Sequence, residues 1–391
     1  MKKKISLYTL IALIIGVVCG IYLKNYVGYV DFIGTIYINI LKFLIGPIIF
    51  TSITVTIFMS NKKESNLVFR AIGLFVTMFV TTFLLTSLVV YVLKPTEGFV
   101  FDSTDYTGTI SDLSIKDIIV NLFPSNLINM FANNQLFAII MFSFLVGYCA
   151  TKVKNGNKVI EFIKVLRDIF FKILEYVMYI TPFAVFSLIA NTVAKYGAIL
   201  IGVALKYIGT AYLCGLLTMI FVMVLPVSIF AKINPFTYIK KIYKVWMIST
   251  TTCSSAATLP TTLRTCNEEL GIDSSITDVV VPLGCTIHMC GGAVSFALLG
   301  LFCSSLFGVQ VTGASYILML VSAVIINMSA PGNPNGGVVI GATYLQLLGI
   351  PLEFIGFYSG IYKILDMLYT TLNVSGDITA NVILAGKKDK K

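Results

Sequence analysis

Long apolar runs restrict this chain more than any other feature of its sequence. They cover residues 5–22, 33–59, 71–93, 136–150, 169–193, 198–231, 279–307 and 316–328. A helix needs about 20 apolar residues to cross the hydrocarbon core of a bilayer, so these runs have transmembrane or half-membrane length. Only 12% of the residues are charged, whereas a soluble domain carries about 25%. The sequence therefore predicts an all-α polytopic membrane protein.

The basic residues predict the orientation of the chain. The net charge is +10, and most Lys and Arg residues cluster within 2–4, 62–70, 152–158, 232–244 and 387–391. Such clusters are typical of cytoplasmic loops. We therefore expect a multi-pass protein of the plasma membrane, the inner membrane of a bacterium, with both termini in the cytoplasm and lipid around it. Nucleic-acid binding also favours basic clusters, but it would not explain their alternation with apolar runs.

Residues 362–377 combine an apolar helix with a single polar seam. Asp366, Thr370, Asn373 and Asp377 are four, three and four residues apart, which places them on one helix face along a stripe of about 16 Å. A carboxylate at membrane depth costs about 2.5 to 3.5 kcal/mol and usually lines an ion or substrate path. Two structural acids bonded to backbone are the alternative, but the shared stripe favours a path.

Two segments of the second half are too interrupted to be straight spans. Residues 246–262 are rich in hydroxyl groups and lie between Lys244 and Arg264, which predicts a re-entrant hairpin on the cytoplasmic side. Residues 327–341 place a Gly/Pro/Asn tip between two apolar stretches and predict a second hairpin from the outside. Hairpins of opposite entry predict an inverted repeat, with the binding site near the midplane where the unwound tips meet.

Four motifs together carry a resemblance to a known family. They are SSAATLP at 254–260, LGCTIHMCGG at 283–292, the Gly/Pro-rich segment 327–341 and LDMLYTTLNVSGD at 365–377. They resemble the dicarboxylate/amino acid:cation symporters, which include the glutamate and the neutral amino acid transporters. The resemblance implies a glutamate-transporter-like homotrimer whose subunit has eight transmembrane helices plus two re-entrant hairpins. It also implies scaffold and trimerisation helices mostly within 1–230, and a core transport region at 231–391.

The resemblance implies roles for individual residues. The implied substrate-binding positions are Ser254, Ser255, Asn333, Gly337, Asp366, Tyr369, Thr370 and Asn373. Among them, Asp366 matches the aspartate that receives the ammonium group of the substrate. The implied cation-binding positions are Gly284, Thr286, Met289, Asn373 and Asp377. Sodium is expected at Asp377, together with the backbone of Gly284 and Asn373. Thr286 and Met289 match part of a second cation position, next to the second hairpin.

One stretch departs from the family pattern. The usual Asn-Met-Asp-Gly-Thr motif is replaced by HMCGG at 288–292. A third sodium position of the family, which also uses the region of Thr86 and Ser87, thereby loses its carboxylate. The thiol of Cys290 is a poor ligand for a hard cation. We therefore expect this third position to be empty.

His288 is the only histidine of the chain. Its unperturbed pKa of about 6.5 would allow it to carry a proton, whereas a neutral imidazole hydrogen-bonded inside the bundle is the alternative. The prediction from the sequence is a reduced sodium stoichiometry through Asp377, with proton coupling at His288 as the variant. No cofactor is expected beyond the coupling ion.

The substrate prediction depends on arginines that this chain lacks. Acidic-substrate members keep an arginine at the position of Tyr369, and others place it at the position of Cys253. A second substrate carboxylate would be buried without a guanidinium here. We therefore expect a cation-coupled symporter that imports a small-molecule amino acid, neutral or zwitterionic, by alternating access.

Two alternatives stay open at this stage. One is a glutamate, aspartate or C4-dicarboxylate symporter, coupled to sodium or to a proton. The other, from a different class, is an ion channel. An enzyme is not expected, because no nucleophile–base pair is visible and His288 lacks a metal-ligand partner pattern.

Overall fold

The computed structural model describes residues 2–61, 66–99, 123–133, 135–197, 199–328 and 336–386. Their regular elements are helices, which confirms the all-α prediction. The helices of the first part are α1 Lys2–Tyr22, α2 Asp31–Asn61, α3 Asn66–Leu93, α4 Leu127–Ala132, α5 Leu136–Ala150, α6 Gly156–Tyr196, α7 Ile199–Thr218 and α8 Leu225–Phe230. Those of the second part are α9 Pro235–Thr252, α10 Ser255–Arg264, α11 Ser274–Ile287, α12 Cys290–Leu306, α13 Gly313–Met328, α14 Gly336–Leu347 and α15 Glu353–Ala385.

Several of these helices can cross a bilayer. Within the described residues, four are long and apolar enough by length and composition, at 27–59, 66–93, 202–230 and 274–306. A fifth span is formed if the two parts of α6 are counted together, which meet at 53° near residue 178. Pro182 lies inside α6, and its ring displaces the carbonyl four residues earlier, so it explains the bend at this point.

Helix α15 is the element around which the others pack. It contacts α6 and α7 from the first part of the chain, and α9, α11, α12 and α14 from the second. The polar seam predicted for it is real and faces the protein interior rather than lipid. Asp366, Thr370, Asn373 and Asp377 are all at most 8% exposed. Contacts with protein groups therefore offset the free-energy cost of placing these carboxylates in the membrane.

The first predicted hairpin is present as two packed helices with a break between them. Helix α9 ends at Cys253, whose φ of 49° is left-handed. Ser254 is extended, and its hydroxyl accepts a hydrogen bond from the amide of Ala257 at 3.2 Å, so it caps α10. The hydroxyl of Ser249 pairs with that of Thr371 at 3.0 Å, which attaches the hairpin to α15.

The helix that follows the hairpin is broken near His288, which interrupts the apolar run 279–307. His288 is extended, and it separates α11 from α12 together with Met289, which is also non-helical. The amide of Gly291, which has no partner within its own helix turn, donates to the side-chain oxygen of Asn373 at 2.8 Å. A Cβ at Gly291 would overlap the backbone of Tyr369. Glycine therefore permits the close approach of the break to α15.

The second predicted hairpin is described only in its two arms, α13 and α14. Its tip, residues 329–335, lies outside the described residues, and so does the predicted substrate position Asn333. Helix α14 packs against α12 and α15. The division of the chain at residue 230 stays a prediction, because α3 and α7 of the first part also pack against α12 and α15.

Substitution of Gly291 tests the approach of the break to α15. Gly291→Ala places a methyl group against backbone that cannot rotate away, and we expect destabilisation by about 1 to 3 kcal/mol. Gly73→Ala is the control, because no atom lies within 4 Å of a Cβ at this helical position. Thermal unfolding of the purified proteins in detergent measures the difference. Equal unfolding temperatures of the two variants would contradict the packing described.

Candidate functional site

A cavity lies where α9, α10, α12, α13, α14 and α15 meet. Its volume is about 60 Å³, and it is lined by Cys253, Ser255, Met289, Gly292, Ser295, Phe296, Asn327, Gly337, Ile340, Tyr362, Asp366, Tyr369, Thr370 and Asn373. Of the eight substrate positions predicted from the sequence, six line it, namely Ser255, Gly337, Asp366, Tyr369, Thr370 and Asn373. Residues distant in the sequence are thus brought to one place.

Asp366 is the acidic residue of this cavity. It is 6% exposed, and its Oδ1 accepts hydrogen bonds from the hydroxyl of Thr370 at 3.3 Å and from that of Tyr362 at 3.4 Å. Both donors lie one helical turn away along the seam. A buried carboxylate held in this way is suited to bind a cationic group that enters the cavity.

The N-terminus of α10 brings partial positive charge to the same cavity. Ser255 is the first residue of α10 and lines the cavity. Ser254 caps the helix and is not among the residues that line the cavity. The first amides of a helix have no partners within the helix and carry partial positive charge. The cavity therefore has a carboxylate on α15 and a helix N-terminus on α10, which suits a molecule with an ammonium and a carboxylate group.

Most of the remaining wall is apolar. Phe296, Ile340 and Tyr369 line the cavity, and Tyr369 is 3% exposed. The described residues that line the cavity include no arginine and no lysine. This wall resembles the lining of a site for an uncharged side chain.

His288 and Cys290 lie together behind this cavity. The imidazole is 1% exposed and stacks on Phe75 with ring centroids 4.6 Å apart. Its Nδ1 lies 2.9 Å from Oδ1 of Asp377, and its Nε2 lies 3.1 Å from the sulfur of Cys290. Among the described residues, no hydrogen bond links Thr86 or Ser87 to this group. The hydroxyl of Ser87 bonds back to the carbonyl of Phe83 at 2.8 Å.

At the sodium site predicted at Asp377, the structure places an imidazole next to the carboxylate. The carboxylate oxygen Oδ1 is already bonded to the imidazole. The carbonyl of Gly284 accepts a hydrogen bond from the amide of His288 at 2.8 Å. Asn373, whose backbone was the third predicted ligand, lies within the unbroken helix α15. Oδ1 of Asp377 and the carbonyl of Gly284 are therefore engaged with the protein itself.

The second predicted cation position is only partly assembled. Met289 lines the cavity, but Thr286 is exposed, and its hydroxyl bonds back to the carbonyl of Leu283 at 2.7 Å. A hydroxyl bonded to its own helix is the ordinary arrangement for threonine in a helix. The side chain of Thr286 thus does not reach the cavity in this structure.

Several cavity residues were missed by the sequence analysis, and two of them, Tyr362 and Asn327, matter for the site. Tyr362 lies one turn before Asp366 on the same seam, and a Cβ at Gly337 would overlap its hydroxyl. It therefore connects α14 to the acidic residue, and the seam spacing extended by one turn would have found it. Asn327 is the other residue, a single amide near the end of an apolar helix.

The side chain of Asn327 lies against Gly292 of α12, where no side chain covers the backbone. It is 3% exposed, and a Cβ at Gly292 would overlap its oxygen Oδ1. Within the described ranges, which omit 329–335, this oxygen has no hydrogen-bond partner. A buried acceptor without a partner is costly, and this one lines the cavity.

Comparison with known proteins gives a consistent result. The sequence pattern of the sodium:dicarboxylate symporter family matches residues 5–387. The chain is 28% identical to a proton/glutamate-aspartate symporter of Bacillus subtilis (strain 168), over 98% of this chain and 95% of that protein. It is 27% identical to a proton/sodium-glutamate symport protein of Bacillus caldotenax, over 96% and 92%. It is also 25% identical to a C4-dicarboxylate transport protein of Bacillus subtilis (strain 168), over 99% and 94%.

Asn327 provides a test of the cavity as a binding site. Asn327→Leu removes the carbonyl oxygen at similar volume, and we expect ligand binding to lose about 0.5 to 1.5 kcal/mol. We expect the ligand-free protein to keep its unfolding temperature, because a buried acceptor without a partner is removed. Calorimetric titration with the transported substrate measures the affinity.

The control for this substitution lies on the same helix. Ser322→Ala removes a hydroxyl of α13 that bonds back to the carbonyl of Leu318 and does not line the cavity. Its affinity should equal that of the native protein. Unchanged affinity in Asn327→Leu would show that the amide does not contact the ligand.

Proposed function

Since the chain belongs to the sodium:dicarboxylate symporter family, we propose that it imports an amino acid together with a cation by alternating access. Membership in a family of transporters makes the chain an integral membrane protein and a cation-coupled symporter, and not an enzyme. The choice of an amino acid as substrate is our proposal, and the position of Asp366 supports it.

The buried carboxylate of Asp366 is the observation that carries the proposal. An ammonium group would neutralise it and replace the water that both groups lose on binding. A C4-dicarboxylate has no ammonium group, and it would bring a second negative charge next to Asp366. Repulsion between like charges in a poorly solvated cavity is strong. The acidic residue therefore favours an amino acid over a dicarboxylate.

A neutral side chain fits the rest of the cavity. The wall of Phe296, Ile340 and Tyr369 offers apolar contact, and a second substrate carboxylate would find no guanidinium among the residues lining the cavity. The amides at the start of α10 would hold the main carboxylate of the substrate. A zwitterionic amino acid with an uncharged side chain is the first candidate.

One observation favours a second candidate, an acidic amino acid. Lys363 lies close enough to Cys253 for its ammonium group to interact with the thiol, and Cys253 lines the cavity. The lysine is half-buried, and no ion pair joins it to an acid among the described residues. Its ammonium group is thus one side chain away from the cavity. The names of two relatives, which include glutamate or aspartate, point to the same class.

The proposal includes the assembly and location expected from the sequence. We place a homotrimer in the plasma membrane with both termini in the cytoplasm. The basic clusters between the spans support this orientation. Apolar side chains on the outer helices are exposed, for example Phe43 on α2 and Phe69 on α3. Such a surface is suited to lipid and to neighbouring subunits.

Substitution of Asp366 tests the role of the carboxylate. In proteoliposomes, we expect Asp366→Asn to abolish amino acid uptake, because loss of a buried charge partner costs about 3 to 5 kcal/mol, which is over 100-fold in affinity. Asp278→Asn is the matched control, since Asp278 is exposed on α11. Sodium and pH gradients are imposed separately. Full uptake by Asp366→Asn contradicts the role proposed for Asp366. A flux that does not saturate with substrate, or that neither gradient changes, contradicts symport.

Counterflow against a panel of amino acids separates the two candidate substrates. For the native protein we expect neutral amino acids to exchange faster than glutamate and aspartate, and Lys363→Met to leave this preference unchanged. Tyr369→Arg should shift the preference towards acidic substrates, because a guanidinium matches a carboxylate. If the native protein prefers glutamate or aspartate and Lys363→Met removes that preference, the second candidate replaces the first.

A further inference from the structure

The imidazole of His288 is fully engaged with its surroundings. Both ring nitrogens have partners, Asp377 at 2.9 Å and Cys290 at 3.1 Å, and one ring face covers Phe75. Because a carboxylate only accepts, Nδ1 carries the proton of the first hydrogen bond. This holds for the neutral and for the charged ring alike, so the contact does not depend on the charge of the histidine.

Two glycines shape the space around this contact. A Cβ at Gly376 would overlap the imidazole ring, and a Cβ at Gly284 would overlap the carboxylate of Asp377. The backbones of α15 and α11 therefore pack directly on the ring and on the acid. The imidazole therefore occupies the close-packed space next to Oδ1 of Asp377.

The groups around Asp377 also have the wrong chemistry for sodium. Hard cations take several oxygen ligands. Here Oδ1 of Asp377 faces a ring nitrogen of His288, and the sulfur of Cys290 lies at the other ring nitrogen. Nitrogen and sulfur atoms are ligands for softer metals. A buried carboxylate nevertheless needs a partner, and the imidazole provides it.

We infer that His288 takes the place of a sodium ion at Asp377, so that the native chain binds no sodium at this carboxylate. The imidazole replaces the ion in two respects. It is the hydrogen-bond partner of the buried carboxylate, and it joins α11 to α15. Removal of the ring would leave the carboxylate of Asp377 without its partner and open a latent sodium site at this acid, with water in the space of the ring.

This inference deepens the proposed function, because it concerns the coupling ion, and it rests on that proposal only for its role in transport. The test reads sodium binding without substrate, so its failure is distinct from a failure of symport. The unfolding temperature of the full-length protein is measured in sodium chloride and in choline chloride at equal ionic strength. We expect the difference between the two salts to be the same in the native protein and in Asp377→Asn.

The decisive variant is His288→Ala. We expect sodium to raise its unfolding temperature by about 2 °C or more over choline, because a ligand that binds only the folded state stabilises it. The rise should be absent in His288→Ala combined with Asp377→Asn. His288→Gln is the matched control, since an amide at this position can still donate to Asp377, and it should show no response to sodium.

Two results would overturn the inference. One is a sodium-specific rise in the native protein that Asp377→Asn abolishes. The other is a folded His288→Ala protein that shows no sodium-specific rise. A rise in the native protein that persists in Asp377→Asn supports the inference, because sodium then binds elsewhere. If His288→Ala does not fold, the comparison of the native protein with Asp377→Asn decides the matter alone.

Discussion

The two buried carboxylates of α15 impose the constraint on which the rest of the structure depends. Neither Asp366 nor Asp377 can face lipid, because an unpaired charge at membrane depth is costly. Protein must therefore surround the seam on all sides, and α9, α11, α12 and α14 do so. The helices that approach the seam most closely are interrupted. Their breaks supply backbone groups that a continuous helix would keep for itself, as the amide of Gly291 shows in its bond to Asn373.

The same helix treats its two acids in opposite ways. Asp366 faces the cavity and is held by the hydroxyls of Thr370 and Tyr362. Asp377 lies three turns further along and is closed off by the imidazole of His288. A cationic substrate group can reach the first acid, whereas the second already has a partner within the chain. The separation of substrate site and internal partner along one helix follows from the spacing of the seam, which extends over about 16 Å.

Much of the fold could be predicted because its signals are local. Apolar runs of membrane length show the class of protein, and Pro182 marks the bend of α6 at its place in the sequence. The breaks at Cys253 and at His288 are visible as interruptions of apolar runs. The contact of Lys363 with Cys253 could not be predicted in this way. It brings together two segments that are far apart in the sequence, and neither segment carries a local pattern that predicts the contact.

The sequence alone determined that this chain is an α-helical membrane protein with one acidic seam and broken helices beside it. These properties follow from hydrophobicity, helical period and the conformational limits of Gly and Pro, all of which are read over a few residues. Only the tertiary structure decided which group satisfies Asp377. His288 is 89 residues away in the chain, and the choice between an ion and an imidazole depends on the packing of α11 against α15. That packing places the ring nitrogen 2.9 Å from the carboxylate oxygen.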